Sequence, residues 1–170
     1  MVPGSGIKAA TLETGRPVET GRRNGAISVL IGHVISAKTT SPLVTDEAMG
    51  YPSDWESPTS APSPLGHQER GRTIALHSVA ILPEFQGRGL GRVLMLSYMQ
   101  HMNGAGISDR LALIAHDVRS TTFRTFLPEA DGPQHKLAWY EKLGFTTKGK
   151  SDATFGGGGW YDMVSTPSLD

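Results

Sequence analysis

Thr73-Ile-Ala-Leu-His-Ser-Val-Ala-Ile-Leu82, followed at once by Pro83-Glu-Phe-Gln-Gly-Arg-Gly-Leu-Gly91 and Arg92-Val-Leu-Met-Leu-Ser-Tyr-Met-Gln-His-Met102, reads as strand, glycine turn and helix. The first run is apolar and β-branched, and the last is amphipathic. Gly87, Gly89 and Gly91 let backbone N–H groups approach a ligand with no Cβ in the way. A helix starting just after them adds its unpaired N–H groups and the positive end of its dipole, which makes an anion site suited to a pyrophosphate. Arg88 and Arg92 place positive charge beside it. The reading predicts a phosphate-bearing ligand held by Gln86, Gly87, Arg88, Gly89, Leu90, Gly91 and Arg92.

Spacing narrows the ligand. A nucleotide phosphate loop would end in Gly-Lys-Ser/Thr, but Leu90, Gly91 and Arg92 follow Gly89. The dinucleotide fingerprint G-x-G-x-x-G would need a third glycine where Arg92 or Leu94 stands. The pattern present is Q-x-x-G-x-G after a strand, which resembles the acetyl-coenzyme A signature of the GNAT superfamily of N-acetyltransferases. Two further segments keep that family's order: RLALIAHD from Arg110 and LAWYEKLGF from Leu137. Leu76-His77 and Trp139-Tyr140 before Lys142-Leu-Gly-Phe145 are similar to the arylalkylamine (serotonin-type) N-acetyltransferases and their fungal relatives. The resemblance runs from Ala26 to Val164.

Around this centre the chain divides readily. Its 170 residues suit one domain with a substantial core. Strands are expected at Ala26–Ala37, Thr73–Leu82, Arg110–His116, Phe145–Lys150 and Trp160–Val164, with a weak one near Ile7–Leu12. Helices are expected at Arg92–Met102 and Leu137–Leu143. Alternating strands and helices give an α/β fold, which the resemblance makes a mixed central sheet with flanking helices. Lys38–Arg72 carries five prolines and reads as a surface excursion without regular structure, partly ordered over the active site. Gly156–Gly159 is expected to be a mobile loop.

Two segments depart from the resembled family, which has a strand and two helices before the Ala26 strand. Only 25 residues precede it here, without helical periodicity, so an N-terminal truncation is expected. Removing Val118–Gln134 restores the family's spacing between Asp117 and His135. Valine codons begin GT and glutamine can be CAG, so these 17 residues have the ends of a retained intron. A natural loop insertion is the alternative.

Net charge is zero, with 16 basic and 16 acidic residues, which favours neither nucleic acid nor an acidic membrane as partner. The absence of cysteine excludes disulfides and thiolate nucleophiles. No apolar run approaches the roughly 20 residues of a membrane helix, and no secretory signal opens the chain. A cytoplasmic monomer is expected, and the six histidines suggest no metal site.

The chemistry can be assigned to residues. Ile74 and Leu76 share one parity along their strand, and Val79 and Ile81 share the other, so an extra residue near His77–Ser78 is needed to put all four on one face. The resemblance implies that such a bulge splays the strand from its parallel neighbour. The resemblance implies that the cofactor's pantetheine arm enters there and bonds the backbone of Val79, Ala80, Ile81 and Leu82. Acetyl transfer to an alkylamine requires removal of a proton, and His77, with a reference pKa of about 6.5, is the candidate base. The alternative is a histidine that only satisfies the bulge. The animal enzymes carry a second histidine two positions earlier, where Ala75 stands. Tyr140 matches the family's proton donor to the leaving thiol; otherwise it is a packing aromatic beside Trp139. His33 and His101 read as ordinary strand and helix-surface residues, His116 as a neighbour of the site, and His67 and His135 as having no evident partner.

The implied activity is an acetyl-coenzyme A-dependent N-acetyltransferase, with a small arylalkylamine or polyamine-like acceptor attacking directly. Acetylation of protein amines, and coenzyme A binding with impaired catalysis, remain as alternatives.

Overall fold

A computed structural model describes residues 29–57, 63–116 and 136–166. Five strands form one sheet in the order β1-β2-β3-β5-β4. They are β1 (Gly32–Thr39), β2 (Thr73–Ile81), β3 (Arg110–His116), β4 (Thr146–Lys150) and β5 (Trp160–Ser165). The helices are α1 (Asp46–Met49), α2 (Leu90–Ala105) and α3 (Lys136–Glu141). Among the described strands only β2 and β3 pair in parallel, as a strand-helix-strand crossover through α2 requires. The expected mixed α/β architecture is therefore present. The weak strand near Ile7–Leu12, the Val118–Gln134 segment and His135 lie outside the described residues.

The sheet has two differently covered faces. Ile74, Leu76, Leu111, Leu113, Ala115 and Met163 pack on the first, under Met95 of α2, with Leu143 and Phe145. Tyr98, Met99 and Met102 continue the apolar stripe of α2 at helical spacing. Burial of each large side chain there is worth roughly 1.5–3 kcal/mol. On the second face, Ala75, Ala112 and Val164 lie in one row across three strands and pack against Val44 and Ala48.

Several boundaries differ from those read in the sequence. β1 begins at Gly32, the residue opposite Ile81, because its partner strand ends there. A Cβ at Gly32 would lie 2.8 Å from the backbone oxygen of Ala80 and would also meet the Ile81 side chain, so glycine is what lets the strands close at this end. α2 continues through Gly104 and stops at Gly106, whose φ of 62° provides a left-handed cap, its N–H bonding Asn103 O. The proline-rich excursion contains α1, started by Thr45, whose hydroxyl accepts from Ala48 N at 3.2 Å. The excursion's return leg is tied down too, with Gly66 N bonded to Glu47 O and Gln68 N to Lys38 O, both at 2.8 Å.

The tetraglycine segment is a defined turn. Asp46 reaches across from α1 and accepts Thr154 N at 2.9 Å, Phe155 N at 2.8 Å and the Thr154 hydroxyl at 2.6 Å. Gly156 to Gly159 follow with φ between 60° and 102°, and Trp160 Nε1 donates back to Phe155 O at 2.6 Å. Glycine supplies the backbone shape, and the carboxylate holds it. These bonds, led by the Thr154 hydroxyl, hold the Asp46 pKa below its ordinary value of 3.8. Asp46→Asn is thus expected to lower Tm at neutral pH. A depressed carboxylate stabilises above its unfolded pKa, so the gap from wild type should close as pH falls below about 4. Melting curves at several pH values check this.

Candidate functional site

β1 and β2 stay in register from Gly32↔Ile81 to Ile35↔Ser78, then resume at Ser36↔Leu76. His77 is the residue left over, so the bulge lies where the parity argument puts it. The phase change places Val79 on the first face with Ile74 and Leu76. Ile81 follows: its Cγ1 and Trp139 Cζ2 both lie within 4 Å of where a Gly91 Cβ would sit. Beside the bulge, β2 and β3 pair only from Thr73↔Arg110 to Ala75↔Ala112. Beyond that, β2 stays with β1 and β3 with β5, so the sheet opens into a slot.

Ladder alternation determines which backbone groups face the slot. Leu82 N donates to Ile31 O at 2.8 Å, so by alternation Ala80 also spends its groups on β1. Val79 and Ile81 point the other way. The Ile81 carbonyl is taken by Gln86, whose Nε2 donates to it at 2.8 Å. Gln86 thereby pins the glycine turn to the end of β2 through its side chain. Val79 N–H, Val79 C=O and Ile81 N–H remain directed at the slot.

The turn itself is open. Gly87 and Gly89 have φ of 72° and 75°, and a Cβ built on either meets nothing within 4 Å. Gly89 is the cap residue of α2, with no side-chain cap bond, and its carbonyl accepts from Val93 N at 3.1 Å. The N–H groups of Leu90, Gly91 and Arg92 precede the first helical bond and have no intrahelical acceptor. Arg88 lies over the Phe85 ring, 5.7 Å from its centroid, and Arg92 is exposed. A left-handed glycine pair, orphan helix donors and adjacent cations suit a pyrophosphate.

His77 and Tyr140 lie on opposite faces of the sheet. The His77 imidazole bonds the Ala48 backbone, which belongs to the second-face layer. α1 is only one turn long, so the Ala48 carbonyl has no helical N–H to accept. Nε2 of His77 is buried without a partner among the described residues. Burial lowers the His77 pKa below 6.5, with the Ala48 bond opposing, so the ring is neutral at pH 7 with a lone pair free. Tyr140, on α3, packs on the first face. Its ring lies edge-on to Trp139 at 4.8 Å and to Phe145 at 5.7 Å between centroids. Burial raises its pKa above 10, so the phenol keeps its proton.

Other polar side chains are assigned by the structure. His33 Nε2 bonds Ser78 Oγ at 3.0 Å, next to the bulge. His116 stacks on Trp160 at 3.6 Å and bonds Gly159 O at 3.2 Å. His67, expected to lack a partner, bonds Glu69 at 3.2 Å. Asp162 was not singled out from the sequence. It is 6% exposed on the second face, its Oδ1 has no partner among the described residues, and burial raises its pKa against a Ser151 hydrogen bond. The signal for it was available, because a carboxylate inside WYDMV at the parity of buried Val164 is an anomaly. Among the described residues no group of three or more His, Asp or Glu could hold a metal ion, and no helix is long and apolar enough to cross a membrane.

Known proteins share this fold. A family model described as an acetyltransferase (GNAT) domain matches residues 61–147. The loading GNATL domain of CurA from Lyngbya majuscula superposes with a TM-score of 0.53 at 14% identity, covering 85% of this chain and 73% of that one. The GphF GNAT-like decarboxylase, solved with isobutyryl-CoA, gives 0.52 at 12% identity, with coverages of 85% and 75%. PH1933 from Pyrococcus horikoshii OT3 matches at 19% identity and a TM-score of 0.44; this chain covers 63% of it, less than two thirds of its length. At these identities the likeness to solved structures is one of fold.

Proposed function

The chain belongs to the GNAT acetyltransferase family, and from that premise we propose that it transfers the acetyl group of acetyl-coenzyme A to a small primary amine. The observation that carries this reading is the slot between β2 and β3, with an anion-suited turn at one end, an unpartnered imidazole nitrogen on one face and a protonated phenol on the other. The N–H groups around Gly87–Arg92 would hold the pyrophosphate, and Val79 and Ile81 would bond the pantetheine arm. Acetyl-coenzyme A, when bound, supplies an activated thioester carbonyl.

The chain's own residues do the rest. His77 Nε2 takes a proton from the amine, whose nitrogen forms the new bond to the carbonyl carbon as the carbon–sulfur bond breaks. Tyr140 donates its phenolic proton, or a hydrogen bond, to the departing sulfur. A phenol above pKa 10 facing a thiolate near 8.5 is an uphill donor, so the gain comes from a positioned bond to developing charge. The Leu76-His77 and Trp139-Tyr140 pairs support an arylalkylamine-type acceptor, with polyamines as the second class.

The test is thiol release from acetyl-coenzyme A with tryptamine, phenethylamine, spermidine and an N-terminally free peptide. Turnover of a small amine supports the reading, and turnover of the peptide alone replaces it with protein acetylation. Coenzyme A binding with no turnover of any acceptor overturns it. Tyr140→Phe is expected to cut kcat about 10- to 100-fold while leaving the coenzyme A Kd within about twofold. Unchanged kcat would remove Tyr140 from the reaction.

A further inference from the structure

On the second face, the row after Ala75, Ala112 and Val164 is His77, Ile114 and Asp162. Ile114 pairs directly with Asp162, and His77 lies two residues beyond the last β2–β3 pair. The two polar residues therefore lie on the same face of the sheet as Ile114, Asp162 directly beside it and His77 across the slot where β2 and β3 no longer pair. Each carries a buried polar atom with no partner among the described residues, Nε2 on His77 and Oδ1 on Asp162. Buried polar atoms are normally bonded, and an unpaired carboxylate oxygen is among the costlier exceptions. The flanking groups are consistent with a cation. Asp152 contributes negative potential at Asp162, Ser151 bonds its carboxylate, and the ring of His116, stacked on Trp160, begins the next row.

We infer that Asp162 and His77 together hold the ammonium head of a cationic primary amine, with Asp162 selecting the acceptor for its charge. An alkylammonium offers three N–H donors, one for each orphan atom and one to spare. The carboxylate regains the counter-ion it lacks, and the nitrogen is held beside the base that must deprotonate it. This inference rests on the acetyltransferase reading and adds the substrate's charge to it. It also accounts for a carboxylate in a strand that would pack better with an apolar residue.

The test compares Asp162→Asn with wild type across the same small amines. Expected at pH 7 is an increase in amine KM of about 30-fold with the acetyl-coenzyme A KM unchanged, the scale of one charge-assisted hydrogen bond. The penalty should narrow to about fivefold or less by pH 9.5, where more of the amine is neutral and charge recognition matters less. Tm at neutral pH should equal or exceed that of wild type, since the variant removes a buried charge. Asp162→Ser, smaller and also neutral, should show the same pH-dependent KM shift. Equal KM values for wild type and both variants overturn the inference while leaving the acetyltransferase reading intact. A KM penalty that does not change with pH, or a marked fall in Tm in both variants, makes Asp162 structural and also overturns it. Wild type that transfers to no amine overturns both readings.

Discussion

Replacing Gly89 by valine should weaken coenzyme A binding more than 100-fold while the protein still folds. Gly89 caps α2 at φ 75°, a conformation that costs an L-residue about 1–2 kcal/mol and suits a β-branched side chain least. The free protein can absorb that cost, because a Cβ at Gly89 meets nothing within 4 Å. The ligand cannot, because the same open space is where its pyrophosphate must approach the first-turn N–H groups. Gly91 provides the contrast. A Cβ there would sit at ordinary contact distances of 3.7 and 3.8 Å from Trp139 and Ile81, so Gly91→Ala should be far milder. Calorimetry with coenzyme A, paired with melting curves, separates the two effects. Equal affinity in Gly89→Val would move the pyrophosphate away from this turn.

His77→Ala should lower kcat/KM for the amine by about 10²- to 10⁴-fold, the range for loss of a general base. The pH profile is the sharper readout. Burial depresses the His77 pKa, so the acidic limb of wild-type kcat/KM should lie below the usual imidazole value of about 6.5, and the variant should lack it. The same shift has a stability sign. His77 stabilises the fold above its unfolded pKa, and that contribution is lost as pH falls through the folded one, because the unfolded chain takes up the proton more readily. A variant that keeps both rate and limb would leave His77 as a residue that only completes the bulge.

The sequence was legible where a pattern could be completed by nearby residues. The parity break in TIALHSVAIL located the bulge to His77–Ser78, where the structure leaves His77 unpaired, because strand alternation permits few repairs. What could not be read depends on distant partners. α1 is too short to show periodicity, and Asp46 looks like a loop residue until Thr154 and Phe155 arrive from 108 and 109 positions away. The tetraglycine reads as mobile for the same reason, since the carboxylate that holds it is elsewhere in the chain. Gln86 was assigned to the ligand as part of its motif, yet its side chain is spent on Ile81 O. No local pattern reveals which partner an exposed amide chooses. Asp162 was visible as an anomaly, but only the register beside Ile114 connects it to His77.

The bulge has a consequence for how such a site can be gained or lost. With His77 removed, Ile74, Leu76, Val79 and Ile81 would fall in one regular alternation, and β2 could run beside β3 to its end. One codon thus separates this chain from a flatter, fully hydrogen-bonded sheet with no slot. The residue in excess of the pleat is also the one proposed to carry the base, so the opening and its chemistry would be inherited together or lost together.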